Sequence, residues 1–526
     1  MQSAAEPTAS EYDVVVCGGS LAGAATALLL LRSKPGLRIA VVEKSTQFPR
    51  RVGEATVEIS GYFLSKVLGL TRHLNEHHLT KQGMRFWFSN PQTSTLADCS
   101  EIGGRYLARV PSWQVDRSVL DEEVLRLAVE AGAVLHRPAK ALSVQLMPGG
   151  RQSVLVEDTH GKGTLSGRWV VDASGFTALL ARQEGWLRRN EAHPTTAVWA
   201  RWKGVKDWDG RELATKYPDW FGACHGIRAT ATNHVVGDGW WSWWIPLKGG
   251  DTSVGIVFDQ RLVSLPRDGT LSERLTSFLT AHHPVAKEML EGATPVEGDV
   301  RLRANLAYST TVFAGDGFVL TGDAAGFIDP LYSPGMDWLS YTSTRAVDLI
   351  LSERELSGAT SLAEKVGAHN RDFTRSYERW FTAIYQDKYE YLGDFELMRT
   401  AFRLDLGLYY LGVVSQPLKY GPAALRNSVF TLPTSDLPHW LMRTYNRRFV
   451  SMARSRKERG IFGRNNAHQR FLLNGFRPDD STVFPVIRAI FGWLALEVRE
   501  GWRSWFRSAG QPARASVAPT AAPHAA

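Results

Sequence analysis

Residues 12–44 constrain this chain more than any other stretch, because in order they read as a strand, a tight turn, a helix and a second strand. Residues 12–17 (YDVVVC) are a short apolar, β-branched run, residues 18–23 (GGSLAG) a glycine turn, and residues 24–31 an apolar run of helix formers. Residues 39–42 make the next strand, and Glu43 follows it. Gly18 permits the sharp turn and Gly23 lets the helix lie close on the strand. The helix N-terminus presents unpaired N–H groups and a positive dipole end to a pyrophosphate. Glu43 stands about twenty residues past the turn, where such units place an acid on a ribose hydroxyl. Ser20 occupies the place of the second glycine, and its small side chain still lets a phosphate approach. A glycine turn by itself is an ordinary βα loop. Here the strand, helix, second strand and acid all fall in the required order, so the stretch is expected to hold a dinucleotide.

The 526 residues suffice for about two or three domains, and 44% hydrophobic content is that of a packed globular protein. Cys17, Cys99 and Cys224 are unclustered and lack metal-ligand spacing, which points to no metal and to a reducing, cytoplasmic compartment. The first ten residues have neither a basic start nor an apolar core, so no signal peptide is expected. No window reaches the roughly 18 uninterrupted apolar residues of a membrane span. The net charge of +8 is mild and gives no argument for nucleic acid.

Residues 50–57 (RRVGEATV) form a loop, and residues 59–78 read as helical. Lys81 and Gly83 then precede the alternating Met84, Phe86 and Phe88 of a strand; spacing alone makes Lys81 a solvated edge lysine. Residues 113–132 read as a helix with a glycine stop, and residues 133–137 and 153–156 as strands. Residues 169–175 (WVVDASG) are a strand entering an acidic glycine turn. Gly161, Gly163 and Gly167 imitate a nucleotide motif, but no helix follows them, which is hairpin chemistry. No second dinucleotide unit is found, and so no nicotinamide site. Residues 195–310 alternate and are rich in tryptophan, as in an antiparallel sheet; alternation in 241–246 (WSWWIP) puts Trp241 and Trp243 on one face and Trp244 on the other. Residues 317–335 give a strand, a Gly322-Asp323 turn and a short helix, with Asp323 placed to accept from a ribityl or ribose hydroxyl. From about residue 340 the chain is mostly helical, and the aromatic stretch 377–410 either walls a pocket or packs.

Together these pieces resemble the flavin-dependent halogenases, within the group that shares the fold of the para-hydroxybenzoate hydroxylase class of flavin monooxygenases. Residues 18–23, Glu43, Arg117, residues 172–175 and Gly322-Asp323 carry the general flavoprotein part. More specific are GEATV at residues 53–57, Lys81 in a KxGxxF setting, and WxWxIP at residues 241–246. The resemblance implies an α/β chain. An FAD-binding Rossmann-like βαβ domain would occupy residues 12–194 and close with 311–350. An inserted antiparallel β-sheet substrate domain would occupy 195–310, and a mostly helical C-terminal region 351–508, with disordered ends at 1–11 and 509–526. It also implies FAD on Gly18, Ser20, Leu21, Ala22, Gly23, Glu43, Lys44, Arg51, Glu54, Ala55, Thr56, Arg117, Asp172, Gly175, Gly322, Asp323 and Gly326. A halide ion would sit by the flavin on the loop of Pro330, Ser333, Gly335 and Met336, and Trp241, Trp243, Ile245 and Pro246 would wall a tunnel.

By the same resemblance, FADH2 from a separate flavin reductase, oxygen and halide yield hypohalous acid, which travels the tunnel and is received or oriented by Lys81 before it meets a small aromatic substrate. A compact ammonium in a dry pocket suits that role. Separating substrate from flavin prevents direct oxygen transfer. The tryptophan halogenases carry a glutamate just before a Ser-X-Gly loop, whereas here Tyr332 precedes Ser333-Pro334-Gly335. That shifts the expected substrate from free tryptophan to phenols and pyrroles, free or tethered to an acyl carrier protein. Pro334 removes one N–H from the halide loop and leaves Gly335 and Met336 to supply it. An aromatic hydroxylase, another FAD-dependent oxidoreductase and a noncatalytic flavoprotein remain open. The basic residues Arg447, Arg448, Arg454, Arg456, Lys457, Arg459 and Arg464 read as a solvated helical face, a carrier-docking patch, or, with the aromatic stretch 484–506, a membrane-facing surface.

Overall fold

In the computed structural model, residues 10–224, 226–354 and 361–504 are described. The expectations for the chain ends therefore lie largely outside the described residues, as does Trp505. The first unit forms as read, with strand Ser10–Cys17, helix Leu21–Ser33 and strand Ile39–Val42. Strand Ser10–Cys17 is central: it pairs in parallel with Ile39–Val42 on one side and with Gly161–Asp172 on the other. Phe318–Leu320 and Val134–His136 extend the parallel order at the two edges. The register puts Cys17 beside both Val42 and Asp172, and Asp172 beside Leu320. All these strands therefore end together, and a ligand site is expected in the crevice beyond their carboxyl ends.

Tryptophan-rich residues build a second, nine-stranded sheet. It is not confined to 195–310, since Met84–Phe88, Ser100–Gly104 and Arg470–Leu473 also join it. Strand Trp240–Pro246 separates two cores. Trp241 and Trp243 face the dinucleotide unit, while Trp240 and Trp244 pack with Trp87, Trp202 and Trp208 on the far side. Adjacent side chains on a strand point to opposite faces, so this division follows directly from the alternation.

Several local readings are corrected. Residues 59–78 are not one helix but helix Glu58–Tyr62, a π-helical turn Phe63–Val67 and helix Thr71–His77, interrupted where Gly69 takes φ +76°. Residues 112–114 pair as a strand with Leu79–Lys81, and the helix begins only at Arg117, where Asp116 accepts from the Ser118 amide at 2.9 Å. Gly161, Gly163 and Gly167 lie within one long strand, Gly161–Asp172, whose first half makes the hairpin with Gln152–Asp158. The helix after the Gly322-Asp323 turn is long, Gly335–Arg354, and starts after an irregular loop.

The basic stretch is a solvated face only in part: Arg447, Arg459 and Arg464 are exposed, whereas others turn inward. Arg456 is fully buried and pairs with Asp394 at 2.7 Å and Glu396 at 2.5 Å; Lys457 pairs with Asp238 and Glu390, and Arg454 with Glu390. One helix, Asp480–Arg499, is long and apolar enough to cross a membrane by length and composition. Its Val486, Ala489, Trp493 and Leu496 face the protein, while Phe484, Ile487, Phe491, Leu494 and Val498 are exposed. The three cysteines are buried and unpaired.

Candidate active site

A cavity of about 650 Å³ opens where the parallel strands end. Its narrow end is the glycine turn. Gly18 has φ +111°, and a Cβ there would strike the Ala173 carbonyl; a Cβ at Gly23 would strike the Gly18 carbonyl. Ser20 begins the helix in extended conformation and gives it no side-chain cap, so the first-turn amides have no partner within the helix, and Ala22 of that turn lines the cavity. This backbone cradle fits a pyrophosphate. The Ser20 hydroxyl is already engaged, donating to Asp121 at 2.6 Å, while Arg117 donates to both Asp121 oxygens at 2.8 and 3.1 Å. Arg51 also reaches Ser20, at 3.3 Å.

Glu43 accepts from the Gly19 amide at 2.9 Å and the Ser45 amide at 2.8 Å, which fixes its carboxylate at the cavity edge; each oxygen keeps a lone pair for a ribose hydroxyl. Asp323 also lines the cavity. Burial raises its carboxyl to about 6, against the pull of Arg117, Arg303 and Arg51. Burial likewise lifts Glu54 to about 7, opposed first by Arg201, which lies 3.1 Å away.

Most of the expected residues converge on this one space: Gly18, Ser20, Ala22, Glu43, Lys44, Arg51, Glu54, Ala55, Arg117, Gly175 and Asp323 line it, as do Pro330, Ser333, Gly335, Met336, Trp241, Trp243 and Ile245. Others lie behind its wall. Asp172 accepts the Ser174 and Leu180 amides at 3.0 and 2.8 Å, and so organises the turn. Gly322 takes φ +56° and donates to Thr342 at 2.9 Å, Gly326 pairs with Ser309, and Leu21, Gly23, Thr56 and Pro246 do not open on the cavity.

Lys81 is the largest departure from its local pattern. It is 1% exposed, lies outside the cavity lining, and donates from Nζ to the Thr56 carbonyl at 2.8 Å. Thr56 is itself locked, exchanging hydrogen bonds with the Trp113 backbone at 2.9 and 2.6 Å. The lysine thus sits one residue behind Ala55 of the cavity wall. Burial lowers its ammonium to about 8, with Glu58 and Asp337 opposing.

Sequence reasoning missed the basic lining residues Arg50, Lys140, Arg201, Arg301 and Arg303, and it missed His234. The ring of His234 stacks on Phe86 at 4.6 Å and lies 5.5 Å from Trp241. Burial holds it neutral, down to about 3. The alternation of Arg301 and Arg303 was the one available signal. On the loop expected to meet the halide, Tyr332 and Ser333 take φ +67° and +57°, a left-handed conformation that costs about 1–2 kcal/mol per non-glycine residue.

The family model described as tryptophan halogenase matches residues 13–106 and 103–385. A flavin-dependent halogenase of Dictyostelium discoideum is 25% identical over 363 residues, covering 62% of this chain and 58% of that protein. A flavin-dependent halogenase of Armillaria mellea is 26% identical over 398 residues, covering 72% of each. Among solved structures, the halogenase PltM superposes with a TM-score of 0.67 at 20% identity, covering 92% of this chain and 96% of that one, which is a likeness of fold.

Proposed function

Because this chain belongs to the tryptophan halogenase family, we propose that it is an FADH2-dependent halogenase that uses oxygen and chloride or bromide on an electron-rich phenolic or pyrrolic substrate. The observation that carries this reading is Lys81, a buried ammonium held on the Thr56 carbonyl directly behind the cavity wall. A hydroxylase brings its substrate to the flavin and has no use for an ammonium sealed off from it.

FAD, when bound, supplies the oxygen-activating redox chemistry. Gly18, Ser20 and the first-turn amides receive its pyrophosphate, Arg51 and Arg117 offset the charge, and Glu43 and Asp323 accept hydroxyls. Ser333, Gly335 and Met336 face the halide, and Trp241, Trp243 and Ile245 keep water from the path between flavin and lysine. Lys81 donates an N–H to the oxygen of hypohalous acid. As the ring carbon takes the halogen, that oxygen leaves with the ring proton as water, and Lys81 stabilises the departing charge. Domain roles follow the same division, with cofactor on residues 12–194 and 311–350 and substrate between the inserted sheet and the C-terminal helices.

Tyr332 in place of a carboxylate favours substrates that are already activated. We propose a free small aromatic rather than one on an acyl carrier protein, because Arg454, Arg456 and Lys457, three of the seven basic residues that suggested a carrier surface, are engaged in internal ion pairs. A flavin reductase is the remaining partner. The single dinucleotide unit means that pure protein with FAD should consume NADH no faster than free FAD does; rapid consumption without added reductase would contradict this. Three buried, unpaired cysteines suit a reducing cytoplasm.

The reading is tested by incubating the protein with FAD, a flavin reductase, NADH and a panel of phenolic and pyrrolic acids, in chloride or bromide, and weighing the products. Halide-dependent mass gains support it, and unmodified or only hydroxylated acids refute it. A pH series adds a second check. Lys81 titrates at about 8, so it is cationic below that pH. Product formed per FADH2 oxidised should be constant at pH 6–7 and fall as the pH rises through 8. A ratio that stays flat up to pH 10 would remove the cation from the mechanism.

A further inference from the structure

Two consecutive left-handed residues need neighbours that hold them, and the polar partners of the Tyr332 side chain lie in the C-terminal helical region. Ser333 opens on the cavity and Tyr332 does not. Tyr332 instead donates from its hydroxyl to Asp405 Oδ2 at 3.1 Å. Asp405, on helix Phe395–Tyr409, also accepts from Lys388 Nζ at 2.6 Å and from Tyr445 at 2.6 Å. Lys388 is fully buried, donates a second hydrogen bond to the Tyr391 hydroxyl at 3.1 Å, and lies 5.0 Å from the Tyr332 ring centroid.

The same region grips the rest of the loop. Tyr385 donates to the Leu331 carbonyl at 3.0 Å, and Tyr389 to Asp329 at 3.0 Å. Trp241 of the cavity wall donates to Tyr389 at 2.8 Å, so wall and loop share one hydrogen-bonded support. A buried ion pair is poor evidence for added stability, because desolvation offsets its attraction. A buried pair whose carboxylate also holds a residue of a strained loop is better suited to fixing a conformation.

We propose that Asp405, charge-balanced by Lys388, is a positioning residue that clamps Tyr332 in its left-handed turn and so sets how Ser333, Gly335 and Met336 are presented to the halide. The inference rests on the halide role assigned to this loop above. It gives the aromatic C-terminal region a role in shaping the halide loop.

The test is a chloride and bromide titration of the FAD-loaded, oxidised protein, followed by the change in flavin absorbance, with FAD affinity and the thermal midpoint measured alongside. Tyr332→Phe keeps the ring and leaves the ion pair intact. It should weaken halide binding about tenfold, the scale of one lost hydrogen bond, with FAD affinity and midpoint close to wild type. The neutral pair Asp405→Leu with Lys388→Met should weaken halide similarly, and adding Tyr332→Phe to it should cost little more, since all three changes release one clamp. Halide affinity of Tyr332→Phe within about twofold of wild type, or losses that multiply, would overturn the clamp. A wild type with no halide response would contradict the halogenase reading itself and the clamp with it. A wild type that responds normally beside an unaffected Tyr332→Phe contradicts the clamp alone.

Discussion

Replacing Lys81 by methionine should abolish halogenation, by about 10²-fold or more, while FAD affinity and the rate of oxygen consumption stay near wild type. The lysine lies behind Thr56 and Ala55, outside the cavity lining, so its loss leaves the cofactor cradle untouched. Methionine fills a similar volume and removes the buried charge; the Thr56 carbonyl loses its donor, a cost of about 1–3 kcal/mol that the fold should survive. Hypohalous acid that is no longer oriented should escape, and the oxidising equivalents should appear in solution as peroxide or as scavengeable oxidant. A Lys81→Met protein that halogenates at near the wild-type rate would make this ammonium a merely buried residue.

A change at the glycine turn should act on the opposite step. Gly23→Ala places a methyl against the Gly18 carbonyl oxygen and beside Val16, so the turn must open and the helix must retreat from the strand. FAD affinity should fall by about 10²-fold or more, because the pyrophosphate loses both its backbone amides and the dipole behind them. Ser20→Asp makes a companion: it sets a carboxylate against both Asp121 and the bound phosphates. Both variants should bind FAD poorly by fluorescence titration while retaining their circular dichroism. Tight binding in either would place the dinucleotide elsewhere.

What was legible in the sequence was what depends on neighbours along the chain. Residues 18–23 dictate their turn through steric permission, and residues 241–246 dictate their faces through alternation; both occupy the places their patterns imply. Lys81 was misleading by the same logic. Its local pattern is that of a strand edge, but pairing with residues 112–114 and the Thr56 carbonyl seals it, and those partners are far away in sequence. The resemblance implied Asp172 as an FAD residue, yet it lies outside the cavity lining and its oxygens hold two nearby amides. The basic stretch looked like a surface because its acidic partners, Asp394, Glu396 and Glu500 among them, lie in other elements. His234 gave no signal at all, since its environment is assembled from Phe86 and Trp241. Tyr332 was recognised as a substitution, but its tie to Asp405 needed the fold.

The most direct measurement is a single turnover without reductase. Protein loaded with FADH2 under anaerobic conditions is mixed with oxygenated buffer, bromide and a phenolic or pyrrolic substrate that the panel identifies, and the product is weighed. The account predicts one bromine in place of one ring hydrogen, dependent on bromide and absent from Lys81→Met. A product that gains oxygen instead, with or without bromide, would contradict it.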